Sequence, residues 1–156
     1  MGPLNTTPGL FKKFCEELSQ YIGPKSGTGR LFLIDGNIDA LDQGIAELCN
    51  YGVSQAYGCS SATMGYTSLT SRTASAERVG WKADQLIFTE NFVSMWKSGG
   101  ILHTTLSGKQ MMSLQGMADF AVNGTSCGFG AYHMEYEYGH SDMPYKYMRQ
   151  AIQYAN

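Results

Sequence analysis

From Leu10 to Ile22, apolar residues recur at 10, 11, 14, 15, 18, 21 and 22. This is the i, i+3, i+4, i+7 spacing of an amphipathic helix, and Gly23-Pro24 supplies its stop. A polar turn from Lys25 to Gly29 leads into Leu31-Phe32-Leu33-Ile34. A short continuous apolar run between turn signals predicts a strand buried on both faces. The alternation then repeats. Asp39–Cys49 reads as a modest helix, with Ile38, Leu41, Ile45 and Leu48 on one side. Val53–Tyr57 reads as the second strand, Ser68–Val79 as a weaker helix and Gln85–Thr89 as the third strand. Lys109–Val122 reads as a helix carrying Met112, Leu114, Met117, Phe120 and Ala121. Cys127–Met134 is the fourth strand and Tyr145–Tyr154 a closing helix with Arg149 outward.

Strands alternating with helical segments predict an α/β fold of βα units around a parallel sheet, with right-handed crossovers. No linker or low-complexity segment divides the chain, so residues 1–156 read as a single domain. A complete (β/α)8 barrel takes about 250 residues, well beyond this length.

Composition narrows the function classes. Charged residues make up 15% of the chain and the net charge is −2, against about 25% charged in an average domain. The basic residues form no run longer than Lys12-Lys13, so the basic stripe of a nucleic-acid binder is absent and no nucleic-acid partner is expected. No apolar run approaches the ~20 residues of a membrane span. The opening Met1-Gly2-Pro3-Leu4-Asn5 does not read as a signal peptide. Cys15, Cys49, Cys59 and Cys127 lack C-x-x-C spacing and read as buried or partly buried thiols, with one disulfide left open. Asp35-x-Asn37-x-Asp39 opens like a calcium loop, but Ala40 and Ala46 stand where Gly and Glu are needed. His103 and His140 have no metal-ligand spacing and read as surface residues. No metal and no cofactor is expected.

In parallel α/β folds, ligands bind beyond the carboxyl ends of the strands. Those ends here are Asp35-Gly36-Asn37, Gln55-Ala56-Tyr57-Gly58, Glu90-Asn91-Phe92 and Tyr132-His133-Met134-Glu135-Tyr136. Amides and carboxylates beside aromatic rings suit a sugar, whose C–H face stacks on rings and whose hydroxyls take hydrogen bonds. Six of the ten tyrosines follow residue 131, which makes the C-terminal segment the aromatic wall. Tyr132 and Tyr136 are its principal candidates.

The segments Gly29–Gly36, Val53–Gly58, Phe88–Phe92 and Gly128–Tyr138, in that order and spacing, resemble the C-terminal half of family 18 glycoside hydrolases, in particular the endo-β-N-acetylglucosaminidase-like branch of Bacteroidetes glycan-degrading systems. The resemblance runs from residue 9 to residue 155. It implies a (β/α)8 barrel of which these four strands are strands five to eight, a half-barrel. It also implies substrate-assisted cleavage of β-1,4-linked N-acetylglucosamine, one of the exceptions to the two-carboxylate rule. The family signature D-x-x-D-x-D-x-E of strand four is absent from this chain, so the half by itself is expected to be inactive. Tyr57 matches the strand-six Tyr that donates to the acetamide carbonyl, and Gln55 points to the same face. Asp35, Asn37, Glu90, Asn91, Tyr132, His133 and Glu135 complete the implied glycan-binding set. A Glu90–Glu135 pair doing ordinary two-carboxylate chemistry is a weaker alternative. The implied partners are an N-acetylglucosamine-containing glycan and either the missing N-terminal half-barrel or a second copy; family relatives are exported. A non-catalytic carbohydrate-binding or scaffold protein derived from the fold, and an unrelated small flavodoxin-like domain, remain as other readings.

Overall fold

In chain order the computed structural model runs α1 (Leu10–Leu18), β1 (Leu33–Gly36), β2 (Tyr51–Gln55), α2 (Gly65–Arg78), β3 (Leu86–Asn91), α3 (Phe92–Met95), β4 (Leu102–Thr104), β5 (Gln110–Met112), α4 (Ser113–Val122), β6 (Gly128–Tyr132) and α5 (Lys146–Ala155). It describes residues 9–57, 65–105 and 107–156. Strands β1, β2, β3 and β6 lie side by side in that order, and every neighbouring pair is parallel. The parallel βα organisation expected from the alternating pattern is therefore present.

Register assigns the faces, because parallel partners point the same way. Leu33 pairs with Tyr51, Val53 with Ile87 and Ile87 with Gly128, so these share one face. Ser54, Phe88 and Phe129 share the other. On that second face Leu86 and Phe88 pack with Leu69 and Ala76 of α2 and with Met117 and Phe120 of α4 in one buried cluster. The rings of Phe88 and Phe120 meet edge to face at 5.6 Å. Leu33, Val53 and Ile87 join no core cluster. Leu31 is 57% and Leu33 46% exposed, which corrects the expectation of a first strand buried on both faces. Among the described residues, helices cover one side of this sheet and the other is open.

The Asp39–Cys49 helix does not form. Two short 3-10 turns, Ile38–Ala40 and Ala46–Leu48, take its place. Gly44 between them has φ +90°, where an α-helix cannot pass. Carbonyls that a continuous helix would use are taken by side chains: the Trp81 indole donates to Ile38 O at 3.0 Å, and Gln85 Nε2 donates to Ala46 O and Cys49 O. The apolar positions are still used, with Ile38 and Ile45 buried and Leu41 and Leu48 packed against them. Gly52 lets β2 lie against this layer, since a Cβ there would sit 2.9 Å from both Ile38 and Trp81.

The expected helix from Lys109 begins as a strand. Gln110–Met112 pairs antiparallel with Leu102–Thr104, and the Thr105 amide donates to Lys109 O to close the turn. The Ser107-Gly108 signal marks this hairpin in the sequence. His103, expected at the surface, is 1% exposed, because the hairpin folds it onto α4. Its ring rests on Gly116, where a Cβ would come within 1.5 Å of Nε2, and neither ring nitrogen has a hydrogen-bond partner among the described residues. His140 is half-buried against Trp96 and Tyr147. Cys15 and Cys49 are buried free thiols, whereas Cys127 is exposed; Cys59 lies outside the described residues. Burial pushes the Cys15 thiol up to about 11 and that of Cys49 to about 12.

One buried carboxylate ties the C-terminal helix to the 3-10 turn, Met134–Gly139, that follows β6. Glu137 is fully buried and accepts the backbone N–H groups of Tyr147 and Met148. It thereby caps the free amides of α5, whose entry residue Tyr145 has φ +56°. Glu137→Ala is expected to lower unfolding free energy by about 2 kcal/mol or more in urea titrations, through amides left without an acceptor. Gly116→Ala is expected to cost about 3 kcal/mol by overpacking, and adding His103→Ala should recover much of it. Burial, partly offset by Asp119, holds the His103 pKa below the ordinary histidine value. The folded state then binds fewer protons than the unfolded one, so stability falls as pH drops from about 6.5 downward. His103→Leu should flatten that dependence.

Candidate functional site

At the carboxyl ends of the strands, the open face carries a polar cluster. Asp35 on β1, Gln55 on β2, Thr89 and Asn91 on β3 and Tyr132 on β6 point to this face by the alternation that register fixes. Gln55 Nε2 donates to Asp35 Oδ2 at 3.2 Å, which orients the carboxylate. Tyr57 follows β2, and the Ala56 amide just before it donates to Thr89 O at 3.1 Å, so the chain stays beside β3. The Tyr57 and Tyr132 rings lie 5.8 Å apart at 36°. Gly58 lies outside the described residues.

Burial is the first cause holding the Tyr57 phenol above its ordinary pKa, and the negative charge of Asp35 is the second; the Thr89 hydroxyl opposes them by hydrogen-bonding to the phenol. Tyr57 is thus a neutral donor beside an oriented carboxylate. Thr89 escaped the sequence reading because nothing marks a threonine within a strand as a partner of a tyrosine from the neighbouring one.

The aromatic wall continues from Tyr132. The His133 ring meets Tyr132 edge to face at 4.0 Å and Tyr136 at 5.8 Å. His133 has φ +56°, a left-handed conformation that costs a non-glycine residue energy. Its Nδ1 contacts the Glu135 carboxylate, and that hydrogen bond is the first cause holding Glu135 below the ordinary carboxylate range. Tyr132 and Tyr136 are about half exposed, so both leave part of their side chains open to solvent.

Two residues of the expected set are directed elsewhere. Glu90 lies on the helix side of β3, 1% exposed, where it accepts from Ser113 Oγ and from the Asn91 amide at 2.8 Å. Ser113 Oγ in turn accepts from the Ile101 amide at 3.0 Å, so Glu90 anchors the base of the β4–β5 hairpin and the start of α4. Strand alternation turns it away from the open face, and a two-carboxylate site with the exposed Glu135 does not assemble. Asn37 leaves the cluster too. It lines a cleft of about 460 Å³ with Asp39, Ser71, Arg72 and Ser75, against α2. Asn91 keeps its place on the open face, but its Oδ1 accepts from the Val93 amide at 2.9 Å and caps α3. Among the described residues no group of three or more His, Cys, Asp and Glu side chains is arranged to hold a metal ion.

This arrangement can stack a ring on Tyr132, accept a hydroxyl or amide hydrogen at Asp35 and donate from Tyr57. The model of "Glycoside hydrolase family 18, BT1044-like" matches residues 2–154. The chain belongs to glycoside hydrolase family 18. Among solved structures it is similar to BT1044, in a selenomethionine-labelled Glu-to-Gln variant, with a TM-score of 0.77 and 27% identity. That likeness covers 100% of this chain and 47% of the BT1044 chain, so the family 18 chain described here spans about half the length of that relative. No curated protein matches it. No helix among the described residues is long and apolar enough to cross a membrane.

The neutral phenol is measurable in this family 18 chain. In a spectrophotometric titration, the component lost on Tyr57→Phe should ionise above the ordinary tyrosine value of about 10. Asp35→Asn should move it down, since removing a nearby negative charge favours the phenolate. An unmoved component would show that Asp35 and Tyr57 do not interact.

Proposed function

We propose that this chain is the glycan-binding, C-terminal half of a (β/α)8 barrel of the endo-β-N-acetylglucosaminidase type, contributing strands five to eight. The observation that carries the reading is the pairing of a sequentially ordered parallel sheet, covered by helices on one side only, with a polar and aromatic cluster at the strand ends of its open side. Sequential order with one-sided helices is how a barrel is wound, and its ligands sit at the carboxyl ends of the strands.

In this reading an N-acetylglucosamine unit of a β-1,4-linked glycan stacks on Tyr132. The Tyr57 hydroxyl donates to the acetamide carbonyl, which aligns that oxygen for attack on the anomeric carbon. Asp35, held by Gln55, receives the acetamide N–H or a sugar hydroxyl. His133, Glu135 and Asn91 line the neighbouring wall. Protonation of the leaving oxygen falls to a carboxylic acid on a strand that this chain does not carry, so the chain binds without turning over. A positioned donor at the reacting centre is worth several kcal/mol in a transition state, which assigns Tyr57 to catalysis in the assembled barrel and to binding in the half.

A second reading is a carbohydrate-binding protein derived from the fold that has kept the strand-end cluster without an acid. Calorimetric titration with chitobiose and with a high-mannose N-glycan tests the shared claim. Saturable binding that Tyr132→Ala weakens by about tenfold or more is the expected outcome, and no heat with either ligand rejects both readings. In the assembled enzyme, Tyr57→Phe should lower kcat more than about tenfold. A binding protein would show no turnover in any assembly.

A further inference from the structure

We infer that the cleft between the 3-10 turn Ile38–Ala40 and α2 is a second sugar-binding site, which takes a neutral, hydroxyl-rich arm of the glycan held at the strand ends. The inference rests on the glycan-binding reading and adds to it the substrate class, a branched glycan and not an unbranched β-1,4-linked run.

The cleft exists because the crossover from β1 to β2 carries no α-helix. Two three-residue 3-10 turns stand in its place, and one flank of α2 is left without a neighbouring helix among the described residues. A flank written to pack on a helix is apolar. Here it presents Ser71, Arg72 and Ser75, which line the opening with Asn37, Asp39 and Ala40. The two walls are fixed to each other, since Ile38 of the turn is buried in one cluster with Leu69 and Ala76 of α2. At about 460 Å³ the cleft has the size of a small-ligand site.

Its polar groups are of mixed kind. The Asn37 amide, the Asp39 carboxylate and the Ser71 hydroxyl have no hydrogen-bond or ion-pair partner among the described residues. Ser75 Oγ accepts from Arg78 Nη2 at 2.7 Å, which leaves its own hydrogen to donate. Arg72 is anchored toward the sheet, its Nη1 reaching Ser54 Oγ at 3.5 Å. Asp39 and Arg72 put one charge of each sign into the same cleft. An anion meets the carboxylate there, and a cation meets the guanidinium. Vicinal hydroxyls satisfy both, because each hydroxyl donates one hydrogen and accepts another. No aromatic ring lines the cleft among the described residues, so it reads hydroxyl edges where Tyr132 reads a ring face.

Position ties the cleft to the strand-end cluster. Asn37 follows Asp35 by two residues, at most about 7 Å of chain. Asp35 stays on the open face while Asn37 turns to the cleft. A ligand that forks at the strand ends can touch both, and its second contact then forms as an intramolecular step that adds affinity. Chitobiose, with two sugars and no branch, has no such arm.

Calorimetric titration of the full chain with chitobiose and with a high-mannose N-glycan, which carries branched arms on the same two-sugar core, tests this. The high-mannose glycan is expected to bind about tenfold or more tighter than chitobiose. Asp39→Ala and Ser71→Ala should each remove most of that advantage and leave the chitobiose affinity unchanged, while Tyr132→Ala weakens both ligands. Neither Asp39 nor Ser71 holds another described side chain, and circular dichroism checks that each variant is folded. Equal affinity for the two glycans, or an advantage that survives both substitutions, overturns the cleft and leaves the strand-end reading standing. High-mannose binding that Asp39→Ala abolishes and Tyr132→Ala does not touch keeps the cleft and overturns the strand-end reading. No binding of either glycan overturns both.

Discussion

The burial of one face of β3 by α2 and α4 is the contact on which the rest of this molecule depends. Leu86 and Phe88 are almost completely buried, and each such side chain contributes about 2–3 kcal/mol by leaving water. Phe120 and Leu69 reach them from two different helices, so a single strand aligns both crossovers on the same side. Once that side is filled, alternation sends every second residue of β1, β2, β3 and β6 to the other. The polar cluster at the strand ends is a consequence of this, since Asp35, Gln55, Thr89, Asn91 and Tyr132 are the residues left facing away from the helices.

The carboxylates named above fall into two environments. Glu90 and Glu137 are buried; the first accepts from the Ser113 hydroxyl at the start of α4 and from the Asn91 amide, and the second from the first amides of α5. A buried charge costs free energy unless it is hydrogen-bonded, and both have found donors in amides or hydroxyls that loop geometry leaves free. Asp35 and Glu135 stay in solvent reach, each held by a neutral or ionisable neighbour, Gln55 and His133. Of these four, only the second pair has oxygens that a ligand can reach. Strand alternation therefore separates Asp35, on the open face, from Glu90, among the helices.

Much of this was legible along the chain. The four strands, the parallel βα order, the helices of the second and third crossovers and the position of the strand-end cluster follow from apolar periodicity, which local sequence carries. The Asp39–Cys49 segment shows where such reading stops. Its apolar spacing is helical and its apolar residues are buried, but Trp81 and Gln85, some 40 residues away, capture its carbonyls. Gly44 was the local warning. Likewise the β4–β5 hairpin hides within an apolar stretch that suits a helix, and Ser107-Gly108 was its only local mark.

By itself, the sequence determined which residues are apolar at which spacing, and with that the elements, their order and the polar composition of the strand ends. Tertiary structure alone decided which way those polar groups face. Glu90 and Asn91 are adjacent in sequence and equally polar, yet one anchors a hairpin among helices and the other looks onto the open face. No local pattern separates them, because strand alternation is a matter of one residue and its phase is set by which side the distant helices α2 and α4 choose to cover. His103 makes the same point from the other direction, a polar ring drawn into the interior because Gly116, on another element, leaves it a place.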